Sequence, residues 1–571
     1  MQLKRISWSK RFDFRTQQWM SWALLIIVTL VYSLEMSHQS ILRYDTFRAT
    51  AFDLGNMDQV IWNTLHGRLF QFTNQAIDWY GPPTRLAIHF EPIILPLSLL
   101  YLFHADPRIL LVFQTLALAS GSLPVFLLTR KFIPEWPLLA PLMATGYLLS
   151  PAVLGLNIFD FHPVSLATPL LLYAVLALTY RRYVWFLIAC VLAASCKEDI
   201  PLAIAMFGIL VMWKYKLPRL GLTLLIGGAL WSLLAFKVII PHFYPGLQAN
   251  NYWYRYEALG SSPQEAIINI ILHPWLLFTL YFTLDRLYYL ASLLRSTGFL
   301  ALLAPEWLLP TLPSLAVNLL STDPLLYSGV YHYNAAIIPF VMIAAIHGTR
   351  RLLLIWQGWR GEVPVYVDEV VENTHSMNGK MQLPLVMQKR LASLKSVWLP
   401  RLRSLGDRLL RLTFPAWWKA QWQRFSERVR PIACSLSVFR LQWLMFAWIT
   451  LMFGLNFWIA RPDLNSFWAD HDPGPREAQI VRLLSLIPPD ASVSASDDLN
   501  PHLSERRLLA VFPSVCLDRS CNQTVQYVVV DLASPTFANR AQALSALNGL
   551  SRQFRVLARA GDVVLLVRRS A

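Results

Sequence analysis

The sequence predicts a polytopic α-helical membrane protein of about ten or eleven spans, completed by a small C-terminal α/β domain outside the membrane. Three observations predict it. Hydrophobic residues make up 55% of the 571-residue chain and charged residues only 15%, against roughly 25% charged in soluble domains. Mean hydropathy is +0.41, and the apolar residues gather into many segments of about 20, the length that crosses a hydrocarbon core. The basic residues behind the formal net charge of +16 sit mostly beside those segments, where they set topology and meet anionic lipid. That placement argues against nucleic acid as a partner.

Lys4, Arg5, Lys10, Arg11 and Arg15 precede the first apolar run, Trp19–Leu34. The run has no small-residue cleavage site, so it reads as a retained span with the amino end inside. A polar outer loop, Glu35–Ile88, follows. The next apolar segment, Pro92–Phe103, is too short to cross. Treating it as a re-entrant or surface helix places Arg130–Lys131, Arg181–Arg182, Lys214, Lys216, Arg219 and Arg350–Arg351 inside, as the positive-inside rule prefers. The same count places Asp53, His89, Asp160, His162, Glu198 and Asp199 outside.

Ile109–Leu128, Pro137–Leu156, Val164–Thr179 and Leu220–Ile240 read as spans, Leu287–Leu320 as two, and Ala335–Ile346 as another. The main transmembrane domain is thus 1–349. Residues 350–438 form a basic insert that interleaves Trp398, Trp417, Trp418 and Trp422 with Arg and Lys, a composition suited to helices lying on the inner leaflet. A last span within 439–460 returns the chain outside. The tail, 461–571, carries helical patterns at Arg476–Leu486 and Phe537–Leu550. Strand patterns occupy Ala491–Ser496, Leu508–Phe512 and Val525–Asp531, and a hairpin, Phe554–Arg568, turns at Ala560-Gly561-Asp562. Cys516 and Cys521 either form a local disulfide or stay as free thiols. The chain carries no Gly-rich phosphate loop, nucleophile elbow or zinc spacing.

The run Tyr183–Trp213 is apolar except for Lys197-Glu198-Asp199 at its middle. Three charges at mid-bilayer would cost on the order of 8–10 kcal/mol. A break there leaves two helices of about 14 residues, roughly 21 Å each, short of a core of about 30 Å. The charges therefore belong in a water-filled cavity below the outer surface. Lys197 could bind a phosphate and Glu198 could ligate a metal or orient a group, unless the three neutralise one another.

Four other clusters return to the outer face. In Phe52–Gln59, Leu54, Met57, Ile61 and Leu65 recur at helical spacing and mark an amphipathic surface helix. Asp53 stands at its start, either as a helix cap or as a general base, with Asp58 as support. In His89-Phe90-Glu91-Pro92, Pro92 suits a first helical turn and leaves Glu91 at the N-cap. His89 and Glu91, two apart in an extended stretch, point the same way. In Phe159-Asp160-Phe161-His162-Pro163, Pro163 pushes His162 into an extended conformation, so Asp160 and His162 share a side. Such a pair can bind a metal, shuttle a proton or hold a phosphate; it also reads as a structural ion pair. His332, in Tyr331-His332-Tyr333-Asn334, could contact a lipid phosphate or belong to an interfacial aromatic belt.

The phrases FDLGNMDQVIWNTLHGR, HFEP, FDFHP and CKEDIPL, with IPPDASVSASDDLNPHLSERR and YVVVDL in the tail, resemble a bacterial family of predicted membrane proteins, domain of unknown function 2079. The insert at about 350–438 departs from that pattern. The family's architecture in turn resembles the GT-C superfamily, whose members take sugars from polyprenyl-phosphate donors on the outer or lumenal face of a membrane. They commonly carry an essential Asp in the first outer loop, where Asp53 and Asp58 lie here. Many have a second acidic motif at the outer start of a later span, where Asp160 lies.

The resemblance implies a glycosyltransferase of the bacterial inner membrane, with the amino end cytoplasmic and the tail outside. Asp53, Asp58 and Asp160 would be catalytic. His89, Glu91, His162, Lys197, Glu198, Asp199 and His332 would bind a polyprenyl-phosphate sugar, a membrane lipid, and an acceptor of unknown class. A divalent metal is possible but not required. Two other classes compete: a transporter or flippase for a lipid-linked or anionic solute, and a non-catalytic scaffold that keeps the fold. No clear internal repeat is visible, and the polar residues cluster on one face, which disfavours transport.

Overall fold

Local hydropathy dictates most of the helices. The computed structural model describes residues 8–74, 83–244, 252–360, 438–469, 471–516, 523–534 and 537–569, with scattered positions between 424 and 435. The chain divides into two units, Met1–Arg350 with Phe446–Ala571, and Arg351–Met445. Most of the insert, and Cys521, lie outside the described residues. Cys516 is disulfide-bonded.

Among the described residues, five helices are long and apolar enough to cross a membrane: Arg15–Asp45, Pro107–Phe132, Pro218–Phe243, Ile338–Trp359 and Arg440–Asn465. A sixth span is the pair Leu139–Leu148 and Pro151–Ile158, bent by 46°. The bend falls where Pro151 opens the second helix, because proline cannot continue the hydrogen-bond ladder behind it. Shorter apolar helices occupy Pro163–Thr179, Tyr183–Ala194 and Ile200–Trp213. The expected break at Lys197-Glu198-Asp199 therefore separates two helices too short to cross alone. Pro92–Phe103 is also short, a single turn of α-helix at Ile94–Ser98 running into 3₁₀-helix at Leu99–Leu102.

The first helix, Trp8–Asp45, has 38 residues, or about 57 Å. That exceeds a core of about 30 Å, so its polar ends run past the apolar segment. Leu24, Ile26, Ile27 and Leu30 stay exposed as a lipid-facing stripe, whereas Tyr32, Met36 and Arg43 are buried. Two close approaches set the interior. A Cβ at Gly208 would lie 2.5 Å from the Gly221 carbonyl oxygen, so the helices on either side of Lys214 meet backbone to backbone. A Cβ at Gly155 would lie 1.8 Å from the Val330 carbonyl oxygen. That approach lays the segment leading to His332 against the end of the bent span.

The tail is a five-stranded sheet of β1 (Val493–Ala495), β2 (Leu509–Val511), β3 (Tyr527–Asp531), β4 (Phe554–Ala560) and β5 (Val563–Arg568), in the order β2-β1-β3-β5-β4. β1 is parallel to β2 and β3, and β5 is antiparallel to β3 and β4. Helices Pro475–Leu484 and Arg540–Gly549 accompany the sheet, as the periodicities require. One face buries Ile480, Leu483, Val493, Leu509, Val529 and Leu565, and this cluster also takes in Phe47 from just beyond the first helix. His502 stacks on Tyr44, with ring centroids 4.0 Å apart, and its Nε2 lies 3.0 Å from the Tyr44 carbonyl oxygen. The tail is thus docked on the carboxyl end of the first helix and on the loop behind it.

Candidate active site at the broken span

The loop after the first helix does not begin its amphipathic helix at Asp53. Residues Ala51–Gly55 form one turn of π-helix, with Thr50 at its amino end, and the α-helix runs Asn56–Leu65. Asp53 is therefore inside a wide turn rather than capping a helix, and its carboxylate is free to point elsewhere. π-turns are often found at functional positions.

Asp53 faces His162. His162 Nε2 donates to Asp53 Oδ1 at 3.1 Å, and the Thr50 hydroxyl donates to Oδ2 at 3.0 Å. Burial alone would push this carboxyl up; the hydrogen bond and charge of His162, the Thr50 hydroxyl and Arg43 outweigh it and hold the carboxyl below its usual range. His162 is extended before Pro163, as expected. Gln114 pins this stretch: its side-chain oxygen accepts the His162 N–H at 3.0 Å, and its amide donates to the Asp160 carbonyl at 2.8 Å. The His162 ring stacks on His332 with centroids 4.1 Å apart. Beyond it, Lys197 Nζ lies 6.0 Å from the Tyr333 ring centroid. Among the described residues, the Lys197 ammonium makes no hydrogen bond or ion pair.

A second His–carboxylate pair sits on the same cavity. His89 Nδ1 donates to Glu198 Oε1 at 2.8 Å, and the Phe90 N–H donates to Oε2 at 3.0 Å. His89 also stacks against Tyr252. The cavity, of about 560 Å³, is lined by Asp53, His89, His162, Lys197, Glu198, Asp199 and His332, joined by Arg85, Arg255 and Tyr333. Away from these groups its wall is apolar: Phe236, Ile240, Leu259, Ile270 and Leu320. Helix Pro263–Leu272 supplies Ile267 and Ile270 to that wall and leaves Ile268, Ile271 and Leu272 exposed on its outside.

Three expected site residues lie off the cavity. Glu91 does not cap a helix, which starts only at Ile94; it forms a buried pair with Arg85, Nε to Oε2 2.7 Å, behind the wall. Asp160 is not extended: it sits at φ +49°, a left-handed conformation that Asp tolerates better than most. Its oxygens are used by Arg43 Nε at 3.2 Å and by the Thr50 N–H at 3.0 Å, and the Thr50 hydroxyl, 3.1 Å away, shares its one proton between Asp160 and Asp53. Asp58 is fully buried beneath the tail, where it accepts from Ser504 Oγ at 2.5 Å and from the Tyr101 hydroxyl. Burial pushes its carboxyl up to about 7.

No group of three His, Cys, Asp or Glu among the described residues could hold a metal ion. With Asp160 occupied by Arg43 and Thr50, the donor set among the described residues does not fit a divalent cation.

Sequence reasoning overlooked Arg85, Thr50, Gln114 and Asp497. Arg85 had a signal, being the only Arg or Lys between Arg68 and Arg108. Asp497 lies in the quoted phrase SASDDLNPH, but nothing local ties it to a loop more than 400 residues earlier.

A family described as "Predicted membrane protein (DUF2079)" matches residues 43–365 and 410–565. The chain belongs to that family. The DUF2079 match spans the cavity and the tail, and leaves out residues 366–409 within the basic insert. No curated protein matches the chain. Among solved structures, ArnT from Cupriavidus metallidurans in the apo state is 14% identical over 95% of this chain and 97% of that one, with a TM-score of 0.42. The same protein bound to undecaprenyl phosphate gives 14% identity over 96% and 98%, with a TM-score of 0.37. The archaeal oligosaccharyltransferase AglB from Archaeoglobus fulgidus, in complex with an inhibitory peptide and a dolichol-phosphate, gives 13% over 92% and 70%, also at 0.37. Likeness this remote assigns no chemistry, which has to come from the site of the DUF2079 chain itself.

Proposed function

We propose that this protein is a membrane glycosyltransferase that moves a sugar from a polyprenyl-phosphate donor to an envelope acceptor on the outer face of the bacterial inner membrane. The observation that carries the reading is one cavity holding an ionised, oriented carboxylate, Asp53, and an unpaired cation, Lys197 at a broken span, with apolar walls beyond them. The polar end suits a sugar and a phosphate. The apolar end suits the first isoprene units of a lipid.

In this reading Asp53 orients the acceptor hydroxyl and takes its proton as the oxygen bonds to the anomeric carbon. The bond from that carbon to the phosphate oxygen breaks, and the polyprenyl phosphate leaves with the electron pair. A carboxylate held below its usual range is a weak base in the ground state. It gains basic advantage only as the hydroxyl acidifies during bond formation. Lys197 stabilises the charge that grows on the leaving phosphate. Arg85 and Arg255 are already paired, with Glu91 and with Asp323 at 3.1 Å, so they shape the field without being the first partners of the phosphate. Asp160 holds the Asp53 turn and Asp58 anchors the tail.

The test is a cryo-EM map of the protein in native-lipid nanodiscs, with mass spectrometry of the extracted lipid. Phosphate density beside Lys197, with a polyprenyl-phosphate sugar in the extract, is the expected outcome. A water-filled path continuing to the inner face would replace the reading with transport.

A further inference from the structure

The two backbone N–H groups at the start of the Asp53 turn each end on a carboxylate from a distant part of the chain. The Thr50 N–H donates to Asp160 Oδ2 at 3.0 Å, and the Ala51 N–H donates to Asp497 Oδ1 at 2.9 Å. The first N–H groups of any helical turn lack partners within it, and a carboxylate there also meets the positive end of the peptide dipoles. Here the tail supplies that acceptor.

The other end of the turn is held by the tail as well. A Cβ at Gly55 would lie 2.8 Å from Asn500 Oδ1. Asn500 is buried and accepts from Asn74 Nδ2 at 2.9 Å, and the same Asn74 amide donates to the Ala51 carbonyl at 3.4 Å. The π-turn is therefore gripped at both ends by the segment following β1.

We infer that the tail is a clamp for the site: Asp497 is a positioning residue that fixes the π-turn, and through it the direction of the Asp53 carboxylate. This inference rests on the proposed role of Asp53, but the clamp itself can be tested apart from any activity. Two features bear it out. A single π-turn is a rare conformation that occurs mostly as a local bulge at the edge of an α-helix, and here both of its ends meet the tail. Asp497 also stands beside Asp53 and Asp160; burial first, and then their charges, push its carboxyl up to about 6. A third carboxylate is costly at this position, and the hydrogen bond from the Ala51 N–H offsets part of that cost.

The experiment is hydrogen–deuterium exchange on the full-length protein in nanodiscs, read on peptides covering 48–58, for wild type, Asp497→Ala, Asp497→Asn and Gly55→Ala. Asparagine keeps an oxygen that accepts the Ala51 N–H; alanine does not. Asp497→Ala should speed exchange of these amides at least tenfold, and Gly55→Ala should do the same by wedging Asn500 away. Asp497→Asn should stay within about threefold of wild type, a rescue that mere loss of tail folding would not produce. In a transfer assay Asp497→Ala should lower kcat more than it raises KM. Unchanged exchange in both Asp497→Ala and Gly55→Ala would overturn the clamp. Increased exchange together with full transfer activity in Asp53→Asn would leave the clamp standing and remove the catalytic reading.

Discussion

Asp53 and Asp58 lie five residues apart in one loop, and the fold treats them in opposite ways. Asp53 keeps a side chain 26% exposed to the cavity and is held in its ionised form by His162, Thr50 and Arg43. Asp58 is sealed under the tail with two neutral hydroxyls for company, and burial dominates. Both carboxylates are hydrogen-bonded. What separates them is the neighbourhood: His162 and the Arg43 charge outweigh desolvation at Asp53, whereas the two hydroxyls at Asp58 do not. A carboxylate for chemistry and a protonated carboxyl for anchoring can therefore be made from the same residue type in the same helical segment.

The largest expected effect breaks the comparison outright. Asp53→Asn should lower sugar transfer by about 10²–10⁴-fold with expression and membrane insertion intact, measured in proteoliposomes supplied with native lipid extract. The same substitution at Asp58 should leave most of the activity. Equal losses at the two positions would mean that both act by holding the loop.

His162→Phe should make Asp53 resemble Asp58. Without its main partner the carboxyl rises, so the acid limb of the pH–rate profile should move upward by about one unit or more. Transfer at neutral pH should fall about tenfold. An unmoved acid limb would show that His162 does not set the ionisation of Asp53.

Asp58 makes a prediction about stability. The folded protein keeps its proton up to about pH 7, whereas an unfolded chain releases it near pH 4. Folding takes up a proton within that window, so stability is fullest below pH 4 as far as this group is concerned and declines as pH rises towards 7. Glu505, pushed up to about 9 by burial and by Asp58, extends the decline to higher pH. Limited proteolysis of the tail should accordingly be faster at pH 8 than at pH 6, and Asp58→Asn should flatten that difference. A steeper dependence in the variant would contradict the assignment. The smallest effect is at Ser504→Ala, which removes one hydroxyl from Asp58. It should cost about 1 kcal/mol of tail docking, read as a shift in the same proteolysis midpoint, with no change in the acid limb of transfer.

Much of this protein was determined by the sequence alone. Most of the apolar runs, the break at Lys197-Glu198-Asp199, the shortness of Pro92–Phe103 and the helices and strands of the tail follow from the local spacing of apolar residues, because hydropathy and periodicity act over one element at a time; Leu287–Leu320, read as two spans, is instead a 12-residue helix, Leu284–Arg295, followed by short pieces broken at Pro305 and Pro310. The gathering of Asp53, His89, His162 and Lys197 on one cavity was legible for the same reason, through the positions of the basic residues beside the spans. The choice among the carboxylates was not. Asp53 takes its His162 partner across 109 residues, the turn that carries it is held across 110 and 446 residues, and the Ser504 hydroxyl on Asp58 comes from 446 residues away. Whether a carboxyl stays charged depends on the field and solvent summed over everything near it in space, and only the tertiary structure decides what is near.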